Sequence, residues 1–278
     1  MAIPRIQVYV DESIHASLDF IVCAFVFSKA VLDEPVIEAL KAAGLQPGID
    51  EFKSGTHMQN NPAQQSLREA LLGIAGQHTR IALAVSPASS RASLGGWCLS
   101  ALRAIVRRNG FHGVHFDVHF DEGIVASTTG QVVAELKELC DVAIYSKQDS
   151  RACFGIQVAD LVANATGQMI REAVAGRQKM VGIGGPETGY AEDDKAPLGW
   201  SLKMALRYSM LRRPIAHPDQ SFHPDTNPVV VERGADYIDI AQNPDVLGWG
   251  VQLDDALVPR VRAGVEQEFG KIWLGCIH

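Results

Sequence analysis

Hydrophobic and polar positions along the chain separate it into short strands and helices. "IQVYVDE" alternates, with Ile6, Val8 and Val10 on one face, and predicts a strand ending in the acids Asp11 and Glu12. The turn-rich "SIHASLD" leads to "FIVCAFVFS" (20–28), a nearly all-apolar second strand, so the pair predicts an antiparallel hairpin. "DEPVIEALKAAG" has the marks of a short helix, with Asp33 as its cap, Pro35 in the first turn and Gly44 as its stop. Residues 45–61 show no periodicity and predict a loop. Helical spacing returns in "PAQQSLREALLGIAGQHT", before a strand at 80–86. "GWCLSALRAIVRRNG" carries an apolar stripe of Trp97, Leu99, Leu102, Ile105 and Val106 and ends at Gly110.

The clearest alternation is in "GVHFDVHFDEG". There Val114, Phe116, Val118 and Phe120 face one way, and His115, Asp117, His119 and Asp121 face the other. A helix over 127–139, a strand over 141–146 and a long helix over 152–176 follow. A hairpin followed by alternating helices and strands predicts an α/β class with a mixed sheet flanked by helices. Beyond 176 the chain is dense in Gly, Pro and Asp. A helix near 199–212, the short strand "PVVVER" and a helix over 254–270 interrupted by Pro259 are its only regular segments. Two regions follow from this: a core over 1–176, and an irregular and helical C-terminal extension over 177–278 packed on it.

Composition changes the picture little. The 278 residues are 47% hydrophobic, enough for one large core. The start has no signal-peptide pattern, and no apolar run is long enough for a bilayer, so no membrane role is expected. Five widely spaced cysteines with no C-x-x-C pair read as buried free thiols, which fits a cytoplasmic setting. Net charge changes more. At −7, the chain lacks the basic surface that blanketing of phosphates requires. Acids that hold divalent ions count as negative until the ions bind, so the balance leaves a nuclease open.

The candidate chemistry lies in separated carboxylates. Asp11 and Asp121 end strands, the positions where ligands collect in α/β sheets. Asp160 lies on a helix whose polar positions Gln157, Asp160, Asn164, Gln168 and Arg171 form one narrow stripe. An ordinary exposed stripe would carry several Lys and Glu; the first turns here hold only Gln, Asp and Asn, as suits a polar cleft. Acids meeting from separate elements make ligands for hard cations such as Mg²⁺ or Mn²⁺. Two such ions about 4 Å apart can activate water and stabilise the leaving oxygen of a phosphodiester.

The strand "VYVDES", the strand-end Asp121 and the segment "YSKQDSRACFGIQVADLVAN" resemble the family known as domain of unknown function 3800. Its members open with a strand ending in Asp-Glu-Ser, here Asp11, Glu12 and Ser13. They close with a Ser-containing strand and a helix bearing Gln-x-x-Asp, here Ser146, Gln157 and Asp160. The resemblance covers roughly residues 6 to 175. It implies a ribonuclease H-like fold, acidic metal ligands and phosphodiester hydrolysis. Enzymes of that fold usually draw an acid from the helix before the fourth strand, and "GWCLSALRAIVRRNG" has none. Glu51, in the loop "DEFKSG", or Glu12 could take its place. Asp11 and Glu12 reach one metal together only if the strand ends there.

The expectation is therefore a nuclease dependent on Mg²⁺ or Mn²⁺. Its catalytic set is Asp11, Glu51, Asp121, Asp160 and Lys53, its metal set Asp11, Glu12, Asp121 and Asp160, and Gln157 orients Asp160 or substrate. Two alternatives stand beside it: a non-catalytic partner protein that binds another chain through its extension, and a metal-dependent phosphohydrolase of nucleotides. Lys147 reads as a solvated lysine, and His119 either positions water or is structural. "GIGGPETG" lacks the spacing of a phosphate loop, and His217 and His223 sit in His-Pro-Asp turns short of a zinc ligand set. No G-x-S-x-G elbow occurs, and no single strand is both basic and aromatic enough for stacking.

Overall fold

The computed structural model describes residues 5–56, 58–109, 114–125, 130–185, 188–211, 246–247 and 250–270. Strand β1 (Arg5–His15) turns through Ala16–Leu18 and a left-handed Asp19 (φ 56°) into β2 (Phe20–Ser28). Helices α1 (Asp33–Ala42) and α2 (Pro62–His78) precede β3 (Arg80–Ser86). Then come α3 (Leu94–Asn109), β4 (His115–Asp121), α4 (Gly130–Leu139), β5 (Asp141–Gln148) and α5 (Gly155–Ala175). The remainder supplies β6 (Met180–Gly182), β7 (Lys195–Pro197), α6 (Leu198–Leu206), β8 (Val246–Leu247), β9 (Val251–Leu253) and α7 (Pro259–Phe269).

Seven strands form one sheet in the order β5-β4-β1-β2-β3-β9-β8, and β6 pairs with β7 in a separate ribbon. β1, β2 and β3 make an antiparallel meander, while β4 and β5 run parallel to β1 on its other side. Helices cover both faces of this mixed sheet. It is the ribonuclease H-like α/β arrangement that the sequence led us to expect. β9 joins β3 in parallel, so the C-terminal residues widen the sheet, and α6 and α7 both pack on α5.

Two cores result. Val8, Val10, Cys23, Phe25, Phe116, Val118 and Phe120 pack under α3 and α4. Tyr9, Phe20, Val22, Ala24 and Val26 pack under α5 with α1, α2, α6 and α7. β2 is buried at every position because both its faces are covered, which is why its sequence reads as a continuous apolar run. Two glycines let α5 lie close on β1. A Cβ at Gly155 would collide with the Tyr9 ring, and one at Gly167 with the His15 ring.

Several boundaries differ from expectation. β1 does not stop at Asp11 and Glu12 but runs to His15, because β2 pairs with it through His15↔Phe20. The cap of α1 is Leu32, and Asp33 is its first helical residue. Pro259 begins α7 and does not interrupt it, since a first-turn proline gives up no hydrogen bond. The four described cysteines are free thiols. Among the described residues no helix is long and apolar enough to cross a membrane. "PVVVER", His217 and His223 lie outside the described residues.

Candidate active site

Val10 and Phe120 are the last register partners of β1 and β4, and the next residues on the two strands are Asp11 and Asp121. Val10 and Phe120 point into the core under α3, so alternation puts both acids on the α5 side. α5 crosses β1 with Gly155 over Tyr9 and Gly167 over His15, and Asp160 lies between these contacts. Two parallel strands and one helix thus bring three acids to one region.

Their electrostatics record the proximity. Asp11 is 8% exposed. Burial, followed by the charges of Asp160, Asp121 and Glu12, raises its carboxyl well above the usual range, against a 2.7 Å hydrogen bond from the Glu12 N–H. Burial also pushes Asp121 up to about 6; Glu12 and Asp160 raise it, and the Glu122 N–H and Lys53 oppose them. Asp160 is raised by burial and by Glu51, and lowered by its hydrogen bonds to Ser54 and by Lys53. Among the described residues, no three His, Cys, Asp or Glu side chains stand in an arrangement that would hold one ion. The acids approach closely enough to repel without converging on a point.

The loop after α1, which carries Glu51 and Lys53, is fastened by buried side chains. Gln157, fully buried, accepts from the Phe52 N–H at 2.8 Å and donates to the Ser150 carbonyl at 2.9 Å. Gln64 donates to the Glu51 carbonyl at 2.8 Å and accepts from the Lys53 N–H at 3.3 Å. Ser54 holds both oxygens of Asp160, through its N–H at 3.1 Å and its hydroxyl at 2.6 Å. Glu51 accepts from the Ser150 hydroxyl and pairs with Lys53 Nζ at 3.2 Å. Gln157 is thus bonded to Phe52 and Ser150 and not to Asp160, and it pins the loop whose Ser54 holds Asp160.

Glu12 stands apart from the other acids. Because β1 continues past it, its side chain lies on the opposite face from Asp11 and pairs with Arg91. Its Oε2 is buried without a hydrogen-bond partner. The donor set that Asp11, Asp121 and Asp160 offer is all carboxylate oxygen, which fits a hard divalent cation in kind. Ser13 bonds to His15, at 3.2 Å. His119 is stacked between Tyr9 and Tyr145. Lys147 is exposed, with a left-handed backbone (φ 60°).

Ser54, Ser150, Gln64 and Arg91 carry much of the positioning, and sequence reasoning missed them. Gln64 had a faint signal, a polar residue three positions before Leu67 on the buried side of a helix. The serines and Arg91 had none, since their partners lie 79 to 106 positions away.

No family model matches this chain, and no curated protein matches it. Among solved structures it is similar to the RNase HII of Archaeoglobus fulgidus, in a complex with PCNA. That match has 13% identity over 58% of this chain and 72% of that one, with a TM-score of 0.35. It is also similar to the ribonuclease H2 of Pyrococcus horikoshii OT3, with 14% identity over 58% of this chain and 71% of that one and a TM-score of 0.33.

Proposed function

We propose that this chain is a divalent-metal-dependent nuclease that hydrolyses phosphodiester bonds at the carboxylates of Asp11, Asp121 and Asp160. The observation that carries this reading is the gathering of Asp11, Asp121 and Asp160 from three separate elements, each raised by burial, with the charges of Asp160 and Asp121 raising Asp11 further. Burying repelling carboxylates costs stability, and groups so perturbed concentrate at functional sites. Asp11, Asp121 and Asp160 would hold Mg²⁺ or Mn²⁺; Glu12, on the opposite face of β1 and paired with Arg91, is left out of that set. When bound, such an ion polarises a phosphoryl oxygen and lowers the pKa of water.

The chain's own residues supply the rest. Ser54 fixes the orientation of Asp160 through two hydrogen bonds. Lys53 acts on both Asp121 and Asp160 and, tethered by Glu51, is placed to meet charge on a phosphate. Gln157 and Gln64 keep that loop in place.

The test is calorimetric titration of Mn²⁺ into wild type and Asp160→Asn, beside cleavage assays on single- and double-stranded DNA and RNA. Metal binding and cleavage in wild type, both lost in Asp160→Asn, are expected. Binding without cleavage of any polymer would transfer the same site to small nucleotides. Absence of binding at millimolar Mn²⁺ would overturn the metal-dependent reading and favour a scaffold for a protein partner.

A further inference from the structure

α5 packs mainly on β1 and β2 and reaches β4 much less, on the side where Asp11 and Asp121 sit. Among the described strands β5 pairs only with β4 and ends the sheet. Tyr9, His119 and Tyr145 are register partners on three adjacent strands, running from Tyr9, buried under α5, to the exposed Tyr145 on β5. Their rings form a parallel ladder, with centroids 5.4 Å apart at 21° for Tyr9 and His119 and 4.8 Å apart at 11° for His119 and Tyr145. These are offset-stacking distances.

The ladder is held from below. Asp117 accepts from Arg5, from Gln7 at 2.9 Å and from the Tyr145 hydroxyl at 3.4 Å. With its amide nitrogen committed to Asp117, Gln7 turns its carbonyl oxygen to His119 Nε2 at 3.0 Å, so that nitrogen carries the proton. The outermost ring, Tyr145, is 40% exposed, and among the described residues His119 is its one ring neighbour. Just beyond it β5 bulges: His119 pairs with Tyr145 but Asp121 pairs with Gln148, so β5 holds one residue more than β4 in the stretch that includes Lys147. A non-glycine residue at φ 60° is an uncommon backbone state that bulges beside functional sites tolerate. Lys147 is exposed and, among the described residues, pairs with no carboxylate. Asp121 lies two residues from His119 on the same strand face, roughly 7 Å along it.

We infer that the face of β4 and β5 that carries Tyr145 is a subsite for an unpaired nucleotide of a single-stranded nucleic acid; this rests on the nuclease reading of the adjoining carboxylates. The base stacks on the outer face of Tyr145 and extends the ladder, and Lys147 meets the neighbouring phosphate. Every base offers a π-face to such a ring, so the subsite discriminates strandedness and not sequence. The ladder is bordered by Asp117, His115 and Arg5, each already paired.

The test is fluorescence anisotropy with fluorescein-labelled hexauridylate and hexathymidylate and with a blunt duplex hairpin. Ca²⁺ replaces Mg²⁺ to hold back cleavage. Wild type is expected to prefer the single strands. Tyr145→Ala should weaken their binding about tenfold and Tyr145→Trp should retain it, since the ring and not the hydroxyl carries the contact. Lys147→Ala should weaken binding on every sequence and lower the salt dependence by nearly one counterion. Unchanged binding in Tyr145→Ala, equal loss in Tyr145→Trp, or equal affinity for the duplex each overturns the subsite. The Asp160→Asn cleavage assay separates the two readings. Metal-dependent cleavage with Tyr145-independent binding leaves the nuclease and removes the subsite. Tyr145-dependent binding by a protein that cleaves nothing does the reverse.

Discussion

Gln157 shows how one side chain can shape a site without touching its chemistry. Its two polar ends satisfy a buried N–H of Phe52 and a buried carbonyl of Ser150, joining two loops that are far apart in sequence. Gln157→Leu keeps the volume but strands both backbone groups, at a cost of about 3 kcal/mol. We expect a lower unfolding midpoint in urea and a larger fall in cleavage than Asn164→Ala causes, because Glu51 and Lys53 lose their support. Asp117 makes the opposite case, a charge wholly committed to structure. Hydrogen bonds from Arg5 first, then from Gln7 and His115, hold its carboxyl well below the usual range. A depressed carboxylate contributes stability that is complete above its unfolded value near 4 and is lost as pH falls below it. Asp117→Asn should therefore flatten the acid limb of a stability–pH profile and cost about 2 kcal/mol at pH 7, measured by thermal melts from pH 2 to 7.

Among the elements, α5 and β1 set the geometry, and their contact is stricter than either pattern implied. The alternation of β4 and the polar stripe of α5 were legible because each is a local period imposed by one packed face. The end of β1 was not. Asp-Glu-Ser followed by "IHASLD" has the composition of a turn, yet pairing with β2 carries the strand four residues past Asp11. The loop over 45–61 showed no period because its order comes from Gln157, Gln64 and Asp160, whose pairing with it no local pattern encodes. The aromatic ladder was invisible for a related reason: each strand gives it one ring. Gly155 is the sharpest test of the helix–strand contact. Gly155→Ala drives a methyl group into the Tyr9 ring and should cost about 1–3 kcal/mol. In a double-mutant cycle Tyr9→Leu should recover part of that loss, whereas additive effects would show that α5 does not rest on Tyr9.

For the whole molecule, the net charge of −7 has a structural correlate. Part of it is concentrated where Asp160 and Asp121 raise Asp11 and Asp160 raises Asp121, with Lys53 a cation that acts on two of them. Such a site stores instability in the metal-free protein that a bound cation relieves, a familiar tension between stability and function. Two consequences differ in sign and can be read in one experiment. Without metal, Asp11→Asn removes a buried repelling charge and should raise the melting temperature by a few degrees, on the order of 1 kcal/mol for a chain of this size. With Mn²⁺ the order should reverse. An ion that binds only the folded state stabilises it by mass action, so wild type should gain about 2.7 kcal/mol at a hundredfold excess over its Kd, while Asp11→Asn gains little. Thermal melts of both proteins in EDTA and across a Mn²⁺ series would show the two curves crossing. If Asp11→Asn instead melts lower in EDTA, Asp11 is a structural acid whose charge the fold needs, and the carboxylates do not form a cation site.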